Sequence, residues 1–218
     1  MQNCVGAIDG SHVPVTKTPN QAAPWRNRKG TLSQNVMFAC DFDLNTSDAR
    51  VLSSAIVRGF KVPEGKFYLV DGGYANTQFF LAPYQGVRYH LKEFGHGRHH
   101  PKNYKELLNH RHAVLRNHVE RVLGVLKKRF PILKVGTFHK IRNQVKIPAA
   151  TTIFHNIIKQ HNGDEEWLDN QEDNIDPSQF VDLPNDDDNY HGLPGNNLQG
   201  NNLRDQIAFQ MWDDYQNE

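Results

Sequence analysis

Two short apolar runs in this chain, residues 5–8 and 67–70, each stop at an aspartate followed by glycine: Asp9-Gly10 and Asp71-Gly72. Runs of this length and composition predict buried strands. Glycine lets a chain turn sharply beside a carboxylate, so both aspartates are expected at the carboxyl ends of strands. A third acid, Glu120, lies in a basic stretch with helical spacing. There Leu115, Val119, Val122 and Leu126 form one stripe, and Arg116, Glu120 and Lys127 share a neighbouring face. Taken singly, each Asp-Gly reads equally as a turn, and Glu120 as the i, i+4 partner of Arg116, a pair worth ~0.2–0.5 kcal/mol. Brought together, two strand-end aspartates and a helical glutamate would offer hard oxygen ligands to two Mg²⁺ or Mn²⁺ ions.

The elements between these acids alternate. Strands are expected at 5–8, 35–40 and 67–70, a short helix at 50–58, a helix starting at 77–81 and an extended piece near Tyr89. The main helical region is expected at 102–128 and a last helix at 147–159, with Pro148 in its first turn, where a missing N–H costs little. This order predicts an α/β class.

The charge of the chain is sharply divided. Residues 1–161 carry 24 of the 25 Lys and Arg and 9 of the 24 Asp and Glu, a net +15, whereas residues 162–218 carry 1 and 15, a net −14. A basic body suits a phosphate backbone, because each phosphate neutralised releases counterions. Trp25, Arg26, Arg28 and Lys29, together with Arg116, Lys127 and Lys128, are the candidate nucleic-acid contacts, the tryptophan for stacking and the rest for phosphates. The acidic segment is rich in Asn and Asp and poor in large apolar residues, so it is expected to be largely disordered. Its last apolar group, Ile207, Phe209, Met211 and Trp212, is expected to dock as one helical turn or two.

Two cysteines, Cys4 and Cys40, fall in or beside predicted strands and read as buried thiols. The histidines 96, 99, 100, 110 and 112 have no spacing of a common structural zinc site. No apolar run is long enough for a membrane span, and no signal peptide is apparent.

Several segments, in order, resemble the catalytic domain of PIF/Harbinger-type transposases and the nucleases derived from them, within the DDE superfamily of endonucleases. They are residues 6–15 (Gly-Ala-Ile-Asp-Gly-Ser-His-Val-Pro-Val), 26–43, 62–74, 81–94 and 116–131, with a weaker match through Asn156. The 48 residues between Asp71 and Glu120 are close to that family's usual interval. The resemblance implies Asp9, Asp71 and Glu120 as the catalytic and metal-binding triad. Asp48, in the fragment Ser47-Asp48-Ala49-Arg50-Val51-Leu52, is a fourth candidate metal ligand. It also implies two divalent ions, a DNA substrate, a nuclear location and partnership with a Myb-like DNA-binding protein.

The fold implied is RNase H-like, a mixed sheet flanked by helices, over residues 1–161. Relatives have about a dozen more residues after the Cys-Asp-Phe-Asp segment, so this copy is expected to lack the third, edge strand. They also carry an amino-terminal helical region that this sequence does not show. The resemblance thus leaves two functions open, a metal-dependent DNA endonuclease and a catalytically inactive, domesticated or decayed DNA- or protein-binding module.

Overall fold

The structure, a computed structural model, describes residues 1, 3–43, 45–48, 59–88, 100–162 and 197–217. Its strands are β1 (Cys4–Pro14), β2 (Ser33–Cys40), β3 (Thr46–Asp48), β4 (Phe67–Leu69) and β5 (Phe80–Leu81). The helices are α1 (Tyr104–Arg129), α2 (Ile141–Gln144), α3 (Ile147–Asn162) and α4 (Asn197–Gln216). The strands lie in one sheet in the order β3-β2-β1-β4-β5. Parallel pairs β1/β4 and β4/β5 and the antiparallel pair β2/β3 make it mixed. This α/β architecture is consistent with the expected RNase H-like fold.

The chain divides into two compact units, one of residues 1–8, 61–118 and 173–218, the other of residues 9–60 and 119–172. In the first, β4 pairs with the start of β1 (Ala7 opposite Leu69) and with β5 (Leu69 opposite Leu81). The helix expected to begin at 77–81 is instead this last strand. Thr77 Oγ1 accepts hydrogen bonds from the amides of Phe79 and Phe80, at 3.3 and 3.1 Å, and so turns the chain into it. The rest of the unit is tied to α1 by buried polar side chains. Asn109 accepts from the Tyr84 amide at 2.8 Å and donates to the Tyr84 carbonyl at 3.0 Å. His112 is fully buried with Nε2 3.1 Å from the Leu81 carbonyl, which can only accept, so that nitrogen carries the proton.

The end of the acidic segment corrects the expectation of one or two turns. Helix α4 has 20 residues and packs Ala208 against Tyr84 and Leu108, with Ile207 beside them. Phe209 stacks on Tyr104 at 4.3 Å. The Arg204 guanidinium lies 4.2 Å from the Tyr84 ring centre, and Tyr84 donates its hydroxyl proton to Asp205 at 2.5 Å. At Gly200 an added Cβ would stand 2.6 Å from the Asn76 carbonyl oxygen, so only glycine allows the helix to approach there. The helix was hard to anticipate because its contacts alternate apolar and polar residues. Residues 163–196, most of the segment expected to be disordered, lie outside the described residues, as do the short helix expected at 50–58 and the extended piece near Tyr89.

In the second unit a three-residue edge strand, β3, stands where the third strand was expected to be missing. β3 pairs with β2 from Phe38 opposite Asp48 to Cys40 opposite Thr46. The tight connection is closed by the Asp41 carboxylate, which accepts from the amides of Asp43 (3.0 Å) and Asn45 (2.9 Å) and from the Asn45 side chain (2.9 Å). Four or five residues suffice for such a hairpin. An edge strand exposes backbone groups, and Asn156 of α3 covers them at Thr46. Its amide accepts from the Thr46 N–H at 3.0 Å and donates to the Thr46 carbonyl at 2.8 Å. Gln144 treats Thr16 in the same way, at 2.9 and 3.0 Å.

Of the two thiols, Cys40 is buried as expected, Cys4 is only half-buried, and neither forms a disulfide. Burial pushes the Cys4 thiol up to about 11. Among the described residues no helix is long and apolar enough to cross a membrane.

Two stability outcomes follow from these polar anchors. Asn156→Ala leaves both backbone groups of Thr46 without their partner, at a cost of about 1–3 kcal/mol in urea-denaturation stability. Burial pushes His112 down to about 3 from an unfolded value of about 6.5. The unfolded chain therefore binds the extra proton between these values, so the contribution of His112 falls as pH drops from about 6.5 toward 3. A His112→Gln variant is expected to lose less stability over that window than the parent chain, in denaturant titrations repeated across pH.

Candidate active site

Asp9 and Asp71 share a local device in different settings. The Asp9 carboxylate accepts the Gly10 amide at 2.8 Å, and the Asp71 carboxylate accepts the Gly72 amide at 2.6 Å. Asp71 stands where expected, just past β4, and its carbonyl accepts the Tyr74 amide at 3.0 Å to close a turn. Asp9 does not stand at a strand end. It lies in the middle of the eleven-residue β1, and Gly10 continues the strand. The reason for glycine at this position is proximity, since a Cβ would come within 3.3 Å of Asn35 Oδ1.

Glu120 is half-buried on α1, in the same unit as Asp9, and Asp71 belongs to the other unit. Of the expected stripe on α1, Val119, Val122 and Leu126 have no solvent exposure, and Leu115 is half-buried. Burying it sets the directions of the polar positions. Arg116 is itself only 6% exposed, which removes it from the surface available to a phosphate backbone. Lys128 is exposed, and Lys127 is half-buried with its ammonium donating to Ser11 Oγ at 2.6 Å. Burial lowers the Lys127 pKa, while the nearby Asp9 charge acts in the opposite direction.

Lys127 is thus a charge neighbour of the first catalytic candidate and not simply a member of a basic face. Ser11, which anchors it, was missed by sequence reasoning, although its place two residues after Asp9 was a usable signal. His12 completes this group. Its Nδ1 lies 3.0 Å from Ser33 Oγ, and partial burial followed by the Lys127 and Lys29 charges lowers its pKa.

The basic loop before β2 is well ordered by its own bonds. Asn27 Oδ1 accepts the Thr31 amide at 3.0 Å, Asn27 donates to Thr31 Oγ1 at 2.7 Å, and Arg26 donates to the Gly30 carbonyl at 2.9 Å. Gly30, at φ +79°, takes the left-handed conformation this turn requires. Arg26, Arg28 and Lys29 are exposed on it, and Trp25 is half-buried with the Lys17 ammonium 5.7 Å from its ring centre.

Carboxylate oxygens at Asp9, Asp71 and Glu120 have the chemistry to bind a hard divalent ion. Among the described residues, no three His, Cys, Asp or Glu side chains are already grouped to hold one. Asp48 lies in β3, and its side chain is outside the described set. Of the histidines, His112 serves as a buried anchor and His100 approaches Tyr215, with Nδ1 3.2 Å from the hydroxyl.

A model of the DDE superfamily endonuclease family matches residues 8–156, more than two thirds of the chain and a span that includes Asp9, Asp71 and Glu120. The chain belongs to the DDE superfamily of endonucleases. No curated protein and no solved structure matches it. As a DDE endonuclease domain it is transposase-derived and would act on DNA, and nucleases of this superfamily generally use divalent metals. The matched region ends at Asn156, the residue that holds β3, so the β2–β3 hairpin and its clamp both lie inside the DDE domain.

Proposed function

We propose that this chain is a divalent-metal-dependent DNA endonuclease of the PIF/Harbinger type that acts in the nucleus. Asp9, Asp71 and Glu120 are its metal-holding carboxylates. The observation that carries this reading is that the family match spans all three acids while each aspartate is oriented by the amide of the glycine after it.

Divalent ions held by these carboxylates supply Lewis-acid stabilisation of phosphoryl oxygens and activation of water. The protein's own groups do the rest. The glycine amides fix the Asp9 and Asp71 carboxylates, and Ser11 holds the Lys127 ammonium near Asp9. Lys127 offsets part of the negative charge at Asp9. Arg26, Arg28 and Lys29, on a turn fixed by Asn27, and the exposed Lys128 meet the DNA backbone, with Trp25 beside them.

A second reading, an inactive DNA- or protein-binding module, is supported by the tight connection between β2 and β3, where the resemblance implies about a dozen more residues before Asp48. Nicking of supercoiled plasmid by the purified chain with Mn²⁺ separates the two. The endonuclease reading expects nicking that falls on the order of 100-fold or more in Asp71→Ala and in Asp9→Ala. Equal nicking by the parent and both variants, or none by any, would leave only the binding module.

A further inference from the structure

Helix α3 is amphipathic in the reverse of the usual sense. Its inward face carries Thr151, Thr152 and His155, which are 5%, 3% and 0% exposed. Its outward face carries Ile153, Phe154 and Ile157, which are 60%, 58% and 44% exposed. Exposed positions 146, 150, 153, 154, 157 and 161 follow helical spacing, so they form one continuous strip. A surface helix normally turns such a strip inward.

The orientation is fixed by polar bonds on the buried side. Thr151 and Thr152 donate to the carbonyls of Pro148 and Ala149, each at 2.8 Å. Arg129 donates to His155 Nδ1 at 3.0 Å, and Asn156 clamps both backbone groups of Thr46. Rotating the helix to cover its apolar strip would break the Arg129 and Thr46 contacts and leave buried polar groups without partners. The strip therefore faces outward in the folded unit. A contiguous apolar patch held this way marks a place where another surface docks.

Charge selects the occupant. From Lys140 to Asn162 the sequence has four Lys or Arg and no Asp or Glu. Lys146 and His161 flank the strip and are exposed. Two copies meeting through it would bring like charges together, and duplex DNA offers no apolar ridge to fill it. We propose that the outer face of α3 docks a partner protein through an amphipathic helix that is apolar along one side and acidic along its edges. Ile153, Phe154 and Ile157 make the apolar contact, and Lys146 reads the acidic edge.

The test uses the full chain and a fluorescein-labelled designed helix with Leu at i, i+3, i+4 and i+7 and Glu at the flanking positions. The same helix with Lys in place of Glu is the control. Expected are binding of the Glu helix alone, and at least about tenfold weaker binding to Ile153→Ser/Ile157→Ser and to Lys146→Glu, with parental circular dichroism retained. Lys146→Glu is also expected to improve binding of the Lys helix. No binding, equal binding of both helices, or binding indifferent to these variants would overturn the proposal. So would a dimer in light scattering that Phe154→Ser dissolves, which makes a second copy the occupant. Displacement of the Glu helix by duplex DNA would overturn it, and so would binding seen only after Trp167→Ser/Leu168→Ser, which makes the chain's own acidic segment the occupant.

Discussion

Strands of two or three residues cannot satisfy their own backbones, and this chain meets that constraint with side-chain amides and one imidazole supplied by helices. Asn156 closes the edge at Thr46, and Asn109 and His112 hold the chain leaving β5; Gln144 bonds both backbone groups of Thr16, beyond the end of β1, in the same way. Each bond is modest in net worth, about 0.5–1.5 kcal/mol, but far more costly to leave unmade in a buried setting. These anchors also set the helices. His112 and Asn109 fix one part of α1, and Asn156 fixes the roll of α3.

The candidate chemistry inherits that rigidity. With Val119, Val122 and Leu126 buried, the position of Lys127 on α1 is determined, and its ammonium reaches Ser11 in the segment that carries Asp9. A single cation in contact with a strand serine thus ties the helix to the strand that holds the first carboxylate. The outward apolar face of α3 is a consequence of the same economy of polar bonds. Its polar side faces inward, where Asn156 bonds both backbone groups of Thr46 and His155 meets Arg129.

Much of this was legible in sequence, and the failures have physical causes. Strand β2 was readable from its unbroken apolar run at 36–40, helix α1 from the helical spacing of its apolar residues, and helix α3 with Pro148 in its first turn. Asp71 was placed correctly because an apolar run and a Gly-Gly turn agree there. Asp9 was misplaced because glycine serves close packing as well as turning, and Gly10 is present for the first reason. Strands β3 and β5 are too short to display a period. The full length of helix α4 was not legible because its docking depends on Arg204, Asp205 and Gly200 as much as on apolar residues. A last helix was expected at 147–159, but the direction in which the apolar residues of α3 point is decided by a partner 110 residues away in sequence.

The proposed nuclease requires Asp9, Asp71 and Glu120 to act together as metal ligands. Titration of the intact chain with Mn²⁺, following the free-ion signal by electron paramagnetic resonance, tests this without reference to DNA cleavage. Two bound ions per chain at neutral pH, with binding weakened in each of Asp9→Asn, Asp71→Asn and Glu120→Gln, is the predicted result. No binding by the parent chain, or binding that none of the three substitutions alters, would contradict it.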